Sequence, residues 1–92
     1  MKVVWKFPIE EIGGITDIEM PLASEILTVQ PQGGKVNLWA HCDTETDKIR
    51  RRILVVGTGQ EIPESVLRME YISTFQLQGG FLIFHAFEIV TG

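Results

Sequence analysis

Two Gly-Gly pairs, each at the centre of an alternating polar and apolar run, constrain the fold of this chain more than any other feature. They lie in Gln32-Gly33-Gly34-Lys35 and Gln78-Gly79-Gly80-Phe81. Glycine readily adopts the positive φ angles that a tight two-residue hairpin turn requires. The flanking residues alternate with the period of two that is typical of half-buried strands. The pattern therefore predicts two β-hairpins, over residues 25–42 and 69–90.

A two-residue turn in each hairpin would also define which residues lie opposite each other across the strands. Four apolar pairs then form the predicted core face: Val29 with Leu38, Leu27 with Ala40, Phe75 with Phe84, and Leu77 with Leu82.

The two hairpins resemble each other when they are aligned at their turns. The matching residues are Ile26, Thr28, Gln30, Gln32, Gly33, Gly34 and Ala40 in the first, and Ile72, Thr74, Gln76, Gln78, Gly79, Gly80 and Ala86 in the second. An internal duplication of hairpins 26–41 and 72–87 would explain this similarity. Independent selection of similar turn chemistry would explain it equally well.

The rest of the chain predicts further strands. Alternation before Pro8 indicates a first strand, a short irregular second strand ends at Pro21, and residues 49–56 form an apolar strand rich in β-branched side chains. At most one short helix is predicted, near residues 63–68. About seven antiparallel strands make the protein mainly β, as a small sandwich or a partly open barrel. With 92 residues, of which 45% are hydrophobic, residues 1–92 are predicted to form a single domain.

Charge and cysteine usage exclude several classes of partner. The formal net charge is −4, and the basic residues concentrate at positions 48–52 instead of forming the broad basic face that extended nucleic acid requires. No apolar run is long enough for a membrane span or a signal peptide. Because Cys42 is the single cysteine, an intramolecular disulfide is excluded and a cytoplasmic protein is predicted. The small size favours self-association, so a homo-oligomer is a candidate state.

No motif predicts catalysis, a metal site or a cofactor. His41 and Cys42 are consecutive strand residues, so they point to opposite faces and cannot act as a nucleophile and its base. The Gly57-Thr58-Gly59 segment lacks the third glycine and the helix of a dinucleotide site. The alternating acids at positions 43, 45 and 47 lack the glycine and final glutamate of a calcium loop. We therefore predict a protein that is not an enzyme.

The binding candidates lie on the mixed faces of the two hairpins, opposite the core faces. Aromatic side chains beside amides and imidazoles suit a protein contact or a stacked base. Packing of these faces under a second layer is the alternative. The candidates are Gln30, Asn37, Trp39 and His41 on the first hairpin, and Gln76, His85 and Phe87 on the second.

Three consecutive arginines, Arg50, Arg51 and Arg52, are candidates for binding an anion. Along a strand Arg50 and Arg52 share one face, and Arg51 takes the other. The alternative is an edge strand whose positive charges deter unwanted pairing.

Several short segments together resemble a family of short uncharacterised proteins of bacteriophages and prophages. They are Trp5-Lys6-Phe7-Pro8, Met20-Pro21, Ile26-Leu27-Thr28-Val29-Gln30, Leu38-Trp39-Ala40, Gly57-Thr58-Gly59, Ile62-Pro63, residues 71–76 and His85-Ala86-Phe87-Glu88.

The resemblance covers nearly the whole chain and implies no assigned activity. The resemblance implies a biological context, in which small phage accessory proteins often bind and inhibit a host component in the bacterial cytoplasm. The leading hypothesis is a non-enzymatic binding protein that inhibits a host protein, including an immune protein. The alternatives are sequestration of a nucleotide signal by the arginines and an aromatic side chain, and a structural virion or assembly component.

Overall fold

Seven β-strands account for most of the fold. The computed structural model of the chain describes residues 1–90. The strands are β1 (Lys2–Pro8), β2 (Ile15–Pro21), β3 (Ser24–Gln32), β4 (Lys35–Asp43), β5 (Lys48–Gly57), β6 (Met69–Leu77) and β7 (Leu82–Ile89).

The strands form two antiparallel sheets. A three-stranded sheet has the order β1-β4-β3, and a four-stranded sheet has the order β2-β5-β7-β6. The molecule measures 40 × 32 × 17 Å along its principal axes, and its shortest dimension suits two sheets packed face to face. The mainly β prediction is confirmed, as two sheets and not as a closed barrel. Across residues 1–90, no helix has both the length and the apolar character needed to cross a membrane.

The core lies between the two sheets and is supplied by alternate residues of β2 to β7, with Phe7 of β1 packed against it. On β4, Val36, Leu38, Ala40 and Cys42 are all buried, as expected for the inward positions of a period of two. The four-stranded sheet contributes its own inward residues to the same cluster: Ile18, Met20, Ile53, Val55, Phe75 and Ala86.

The predicted register is correct near both turns and wrong at one pair. Val29 lies opposite Leu38, Phe75 opposite Phe84, and Leu77 opposite Leu82. The pairing of Leu27 with Ala40 is wrong, because Ile26 occupies that place and Leu27 is an extra residue in a β-bulge. A bulge leaves one residue without a partner, and Leu27 is 46% exposed.

The two Gly-Gly pairs form turns of different length. Gln32 pairs with Lys35, so Gly33 and Gly34 form the predicted two-residue turn, with φ angles of 57° and 82°. In the second hairpin the strands end at Leu77 and Leu82, and a 3₁₀ turn over Gln78–Gly80 followed by Phe81 connects them. The prediction of two residues is wrong for this loop, although four residues preserve the same register.

The segment near residues 63–68 contains a turn and no helix, which agrees with the prediction of at most one short helix there. Its backbone bond joins the N–H of Val66 to the carbonyl of Pro63 at 3.0 Å. An isolated turn of this length cannot meet the cost of helix nucleation without tertiary packing, and Leu67 is 87% exposed.

One hydroxyl group links the two sheets where β3 and β6 meet. Ser73 Oγ donates to the carbonyl oxygen of Val29 at 2.7 Å and accepts from the Val29 N–H at 3.1 Å. Both residues are buried, with Ser73 8% exposed and Val29 fully enclosed. The side chain thus satisfies backbone groups on the edge of β3 that a neighbouring strand would otherwise pair.

Candidate binding surface

The seven predicted binding residues fall on two opposite sides of the molecule. Gln30, Asn37, Trp39 and His41 lie on the outward side of the three-stranded sheet, and Gln76, His85 and Phe87 lie on the outward side of the four-stranded sheet. The predicted residues therefore form two separate surfaces and not one site, because the core lies between the two sheets.

The outward side of the three-stranded sheet is the more open surface, and we call it the bare face. Trp39 lies at its centre, with Lys6 beside it on β1 and Thr28 beside it on β3. Val4 is 55% exposed, and its neighbour His41 is exposed as well. The bare face consists of Lys2, Val4, Lys6, Glu25, Thr28, Gln30, Gln32, Lys35, Asn37, Trp39, His41 and Asp43.

Hydrogen bonds order several polar side chains on the bare face. Lys6 Nζ donates to Gln32 Oε1 at 2.9 Å, and this contact reaches from β1 to β3 across β4. Gln30 Nε2 donates to Thr28 Oγ1 at 3.2 Å on the same side. Asn37 lies within this polar region and is only 8% exposed. Asn37 therefore supports the surface, whereas Trp39 is half-buried and His41 is exposed, so both present part of their side chains to a partner.

The outward side of the four-stranded sheet differs because part of it is covered. Leu54 and Val56 point outward, since the residues alternating with them belong to the core, yet they are 1% and 4% exposed. Leu54 lies between Ile15 and Phe87 of the neighbouring strands. Phe87 is therefore part of a small apolar layer as well as a candidate contact.

His85 lies in a chain of hydroxyl groups on this second surface. Its Nε2 lies 2.7 Å from Thr58 Oγ1, and its Nδ1 lies 3.1 Å from Thr74 Oγ1. Thr74 Oγ1 is 2.8 Å from the hydroxyl of Tyr71, whose ring packs edge-on against Phe87 with centroids 5.8 Å apart. Both ring nitrogens of His85 are therefore engaged, which fixes the orientation of the imidazole.

The central arginine of the predicted anion site is engaged by protein groups. The guanidinium of Arg51 forms a two-point contact with Glu88, in which Nη2 donates to Oε1 at 2.8 Å and Nε donates to Oε2. Its Nη1 donates to the carbonyl oxygen of Ser24 at 3.1 Å, and both ionic side chains are 18% exposed. The hydrogen bond to Glu88 raises the pKa of Arg51. Arg51 thus links the four-stranded sheet to β3 at one end of the core.

Arg50 and Arg52 lie on the opposite face of β5, as predicted, and both approach Asp17. Arg52 Nε is 3.2 Å from one carboxylate oxygen and Arg50 Nη1 is 3.9 Å from the other. The edge-strand interpretation is wrong for β5 as a whole, because β2 and β7 lie on its two sides. The edge-strand interpretation is correct for the first part of β5, which contains the arginines, because β7 pairs with β5 only from Ile53 onward.

The alternating acidic residues lie at the end of β4 and in the loop that follows it, and they carry a local charge interaction. Asp43 Oδ1 accepts a hydrogen bond from the Glu45 N–H at 3.1 Å. This bond lowers the pKa of Asp43 below its ordinary value of 3.8, and the nearby N-terminal ammonium acts in the same direction. In residues 1–90 no group of three or more His, Cys, Asp or Glu side chains could hold a metal ion.

The sequence predictions missed the residues that surround His85. Thr58 was interpreted only as part of a glycine turn, and its contact depends on where the chain turns after β5. Tyr71 faces Phe87 because the register of β6 shifts between Tyr71 and Ser73, so that Ile72 is the extra residue of a bulge. A regular two-residue hairpin would have placed Ile72 opposite Phe87. No local residue pattern marks the bulge.

The fold defines the structural class of this protein, and a family model defines its family. The chain is a small antiparallel two-sheet protein. It belongs to the family described as Domain of unknown function (DUF7352), whose model matches residues 1–91. Comparisons with curated proteins and with solved structures give no match. The prediction of an uncharacterised family is therefore confirmed, and the link to phages remains a hypothesis.

Proposed function

We propose that this protein is a non-enzymatic, phage-type accessory protein that binds and inhibits a host protein through its bare face. The observation that carries the proposal is the position of Trp39, at the centre of an open sheet face and flanked by Lys6 and Thr28. A large aromatic side chain surrounded by polar groups is the usual composition of a protein-binding hot spot.

Charge on the bare face supports an acidic partner surface. Lys2, Lys6 and Lys35 lie on this face, with Glu25 and Asp43 as its acidic members, although the whole chain carries a formal net charge of −4. Such a local positive region would steer an acidic partner to this side of the molecule. The resemblance to phage and prophage proteins suggests that the partner belongs to the bacterial host.

The contacts of the arginines favour a protein partner over a nucleotide. A phosphate at Arg51 would have to compete with the two-point contact to Glu88. Arg50 and Arg52 already share the carboxylate of Asp17. A phosphate at these arginines would lie close to the carboxylates of Asp17 and Glu88, and repulsion between the negative charges disfavours sequestration of a nucleotide signal.

A comparison of two aromatic variants tests the proposal. Immobilised wild-type protein, Trp39→Ala and Tyr71→Ala would be incubated with lysate of the bacterial host, and the retained proteins identified by mass spectrometry. Tyr71 is the matched control, because it is an exposed aromatic residue of the four-stranded sheet. We expect one host protein to be retained by wild type and Tyr71→Ala and lost from Trp39→Ala.

Inhibition is then measured on that purified host protein with the same three variants. Retention of the same proteins by all three would remove the bare face as the binding surface. A wild-type assembly of high mass at micromolar concentration, with no host protein retained, would favour the virion alternative.

A further inference from the structure

The backbone of β1 has an unpaired edge whose donors can be identified. β1 lies at the end of the order β1-β4-β3, and its ladder with β4 pairs Val3 with Cys42 and Trp5 with Ala40. The same register continues beyond both ends, where the Ile9 N–H bonds to the Val36 carbonyl at 2.9 Å and the Thr44 N–H bonds to the Met1 carbonyl at 2.9 Å. The odd-numbered residues of β1 are therefore the hydrogen-bonded partners of β4.

In an antiparallel pair, the residues between hydrogen-bonded positions turn their N–H and C=O groups away from the partner strand. Those residues are Lys2, Val4 and Lys6, and within residues 1–90 no other strand pairs with this edge. Pro8 has no N–H to donate, so it ends the row of donors. The edge thus offers three residues with matched donors and acceptors, which is the arrangement that strand addition uses.

The same three residues point their side chains onto the bare face. Two lysines flank an exposed valine, since Val4 is 55% exposed and Lys2 and Lys6 are exposed as well. We propose that β1 binds an extended acidic segment of a partner protein as an added antiparallel strand. Carboxylates of that segment lie opposite Lys2 and Lys6, and an apolar side chain lies opposite Val4.

A second copy of this chain is a poor occupant of the edge. Antiparallel self-pairing that uses all three edge residues would place Val4 opposite Val4 of the second copy. Lys2 of each copy would then lie opposite Lys6 of the other. Like charges directly opposed across strands are destabilising, and lysines on exposed edges are a common means of preventing self-association. The lysines therefore disfavour a second copy of the chain in this register and favour an acidic strand.

This inference rests on the proposed function, because it names the chemistry of the segment that a bound partner would present. The two can fail separately. Loss of capture by Trp39→Ala tests the bare face, whereas the experiment below tests the edge with synthetic peptides and needs no host protein.

The test uses two peptides of alternating sequence, one with glutamates separated by valines and one with lysines in place of the glutamates. Val4→Pro removes an N–H that faces away from β4, so the ladder keeps its bonds, and proline is tolerated at such edge positions. Val4→Ala keeps the N–H and is the matched control. Affinity is measured by calorimetry at low ionic strength, and contacts are mapped by amide chemical shifts of 15N-labelled protein.

We expect the acidic peptide to bind and to shift the amide signals of Lys2, Val4 and Lys6 more than those of Val3 and Trp5. Loss of one backbone bond weakens binding about tenfold, so Val4→Pro should bind about tenfold more weakly than Val4→Ala. Lys2→Glu combined with Lys6→Glu should reverse the preference in favour of the basic peptide.

Three results would overturn the proposal: no binding of the acidic peptide, equal binding of Val4→Pro and Val4→Ala, or equal binding of both peptides to the wild-type protein. Circular dichroism of each variant verifies the fold. If Val4→Pro does not fold, the amide shifts and the charge-reversed variant still decide the question.

Discussion

Two three-stranded units of the molecule have the same arrangement and different surroundings. The N-terminal unit has the order β1-β4-β3, and the C-terminal unit has the order β5-β7-β6. In each, the last strand in sequence lies between the other two. The hairpins agree in register as well, because Thr28 faces Trp39 and Thr74 faces His85. The duplication of hairpins 26–41 and 72–87 stays a hypothesis that this similarity motivates.

The difference between the units lies in the strand that adds to their outer edge. β2 pairs with β5 and extends the C-terminal unit, whereas β1 has no such neighbour within residues 1–90. Corresponding inward positions at the strand ends also differ, because the N-terminal unit has the buried Cys42 where the C-terminal unit has Glu88 paired with Arg51. The C-terminal unit is therefore extended by a further strand, whereas the N-terminal unit ends at the unpaired edge of β1 and presents the bare face.

The largest expected effect comes from the ion pair that distinguishes the C-terminal unit. Glu88→Gln leaves Arg51 in a largely enclosed site without its counter-charge, and breaking fully buried pairs costs about 3–5 kcal/mol. Because both side chains are 18% exposed, we expect the free energy of unfolding to fall by about 2 kcal/mol. Urea denaturation followed by tryptophan fluorescence measures the loss.

The control for this prediction replaces both partners by apolar side chains. Arg51→Met with Glu88→Leu should recover most of the stability, since well-packed apolar residues often substitute for a buried ion pair without loss. A Glu88→Gln protein as stable as wild type would mean that the pair does not hold the end of the core together.

A smaller effect is expected at the contact between the units. Ser73→Ala removes the hydroxyl that satisfies the N–H and carbonyl of Val29, and we expect a loss of about 1 kcal/mol, the lower end of the cost of an unsatisfied buried donor. The corresponding residue of the N-terminal hairpin is Leu27, which is 46% exposed. Leu27→Ala should therefore be the milder change in the same unfolding measurement, and the reverse order would contradict the role given to Ser73.

The smallest effect is expected at Asp43, the last residue of β4 in the N-terminal unit. Because its folded pKa is below 3.8, the carboxylate favours the folded state at pH values above its ordinary pKa. That contribution is lost as the pH falls from about 4 through the folded pKa. A carbon-detected NMR titration should give a midpoint for Asp43 below 3.8. The stability of Asp43→Asn should lack this pH dependence, and a midpoint above 3.8 would contradict the assigned hydrogen bond.

Much of the fold was predictable because turns and alternation are local signals. Gly33 and Gly34 predicted both the turn and the register from Val29 to Leu38, and Pro8 and Pro21 correctly mark the ends of β1 and β2. The bulges at Leu27 and Ile72 were not predictable, since the extra residue depends on packing between the hairpins and not on a residue type.

The surfaces were predictable as faces but not as sites. Alternation placed Trp39 and His41 on one side of β4, and the structure agrees with this placement. Alternation could not tell that Leu54 and Val56 are covered on the outward side, because burial there depends on parts of the chain distant in sequence. The contacts of Arg51 could not be predicted for the same reason, since Glu88 and Ser24 lie on other strands.

The pairing of β1 with β4 and of β2 with β5 has a consequence for the order of folding. Each early strand has its partner in a strand that follows much later in the chain, so both must close long loops before they gain any contact. The two hairpins close short loops and can form first. We therefore expect β1 and β2 to join after the hairpins, with low φ-values in the folding transition state. During synthesis, β1, which carries the open edge, would therefore remain unpaired until β4 has been made.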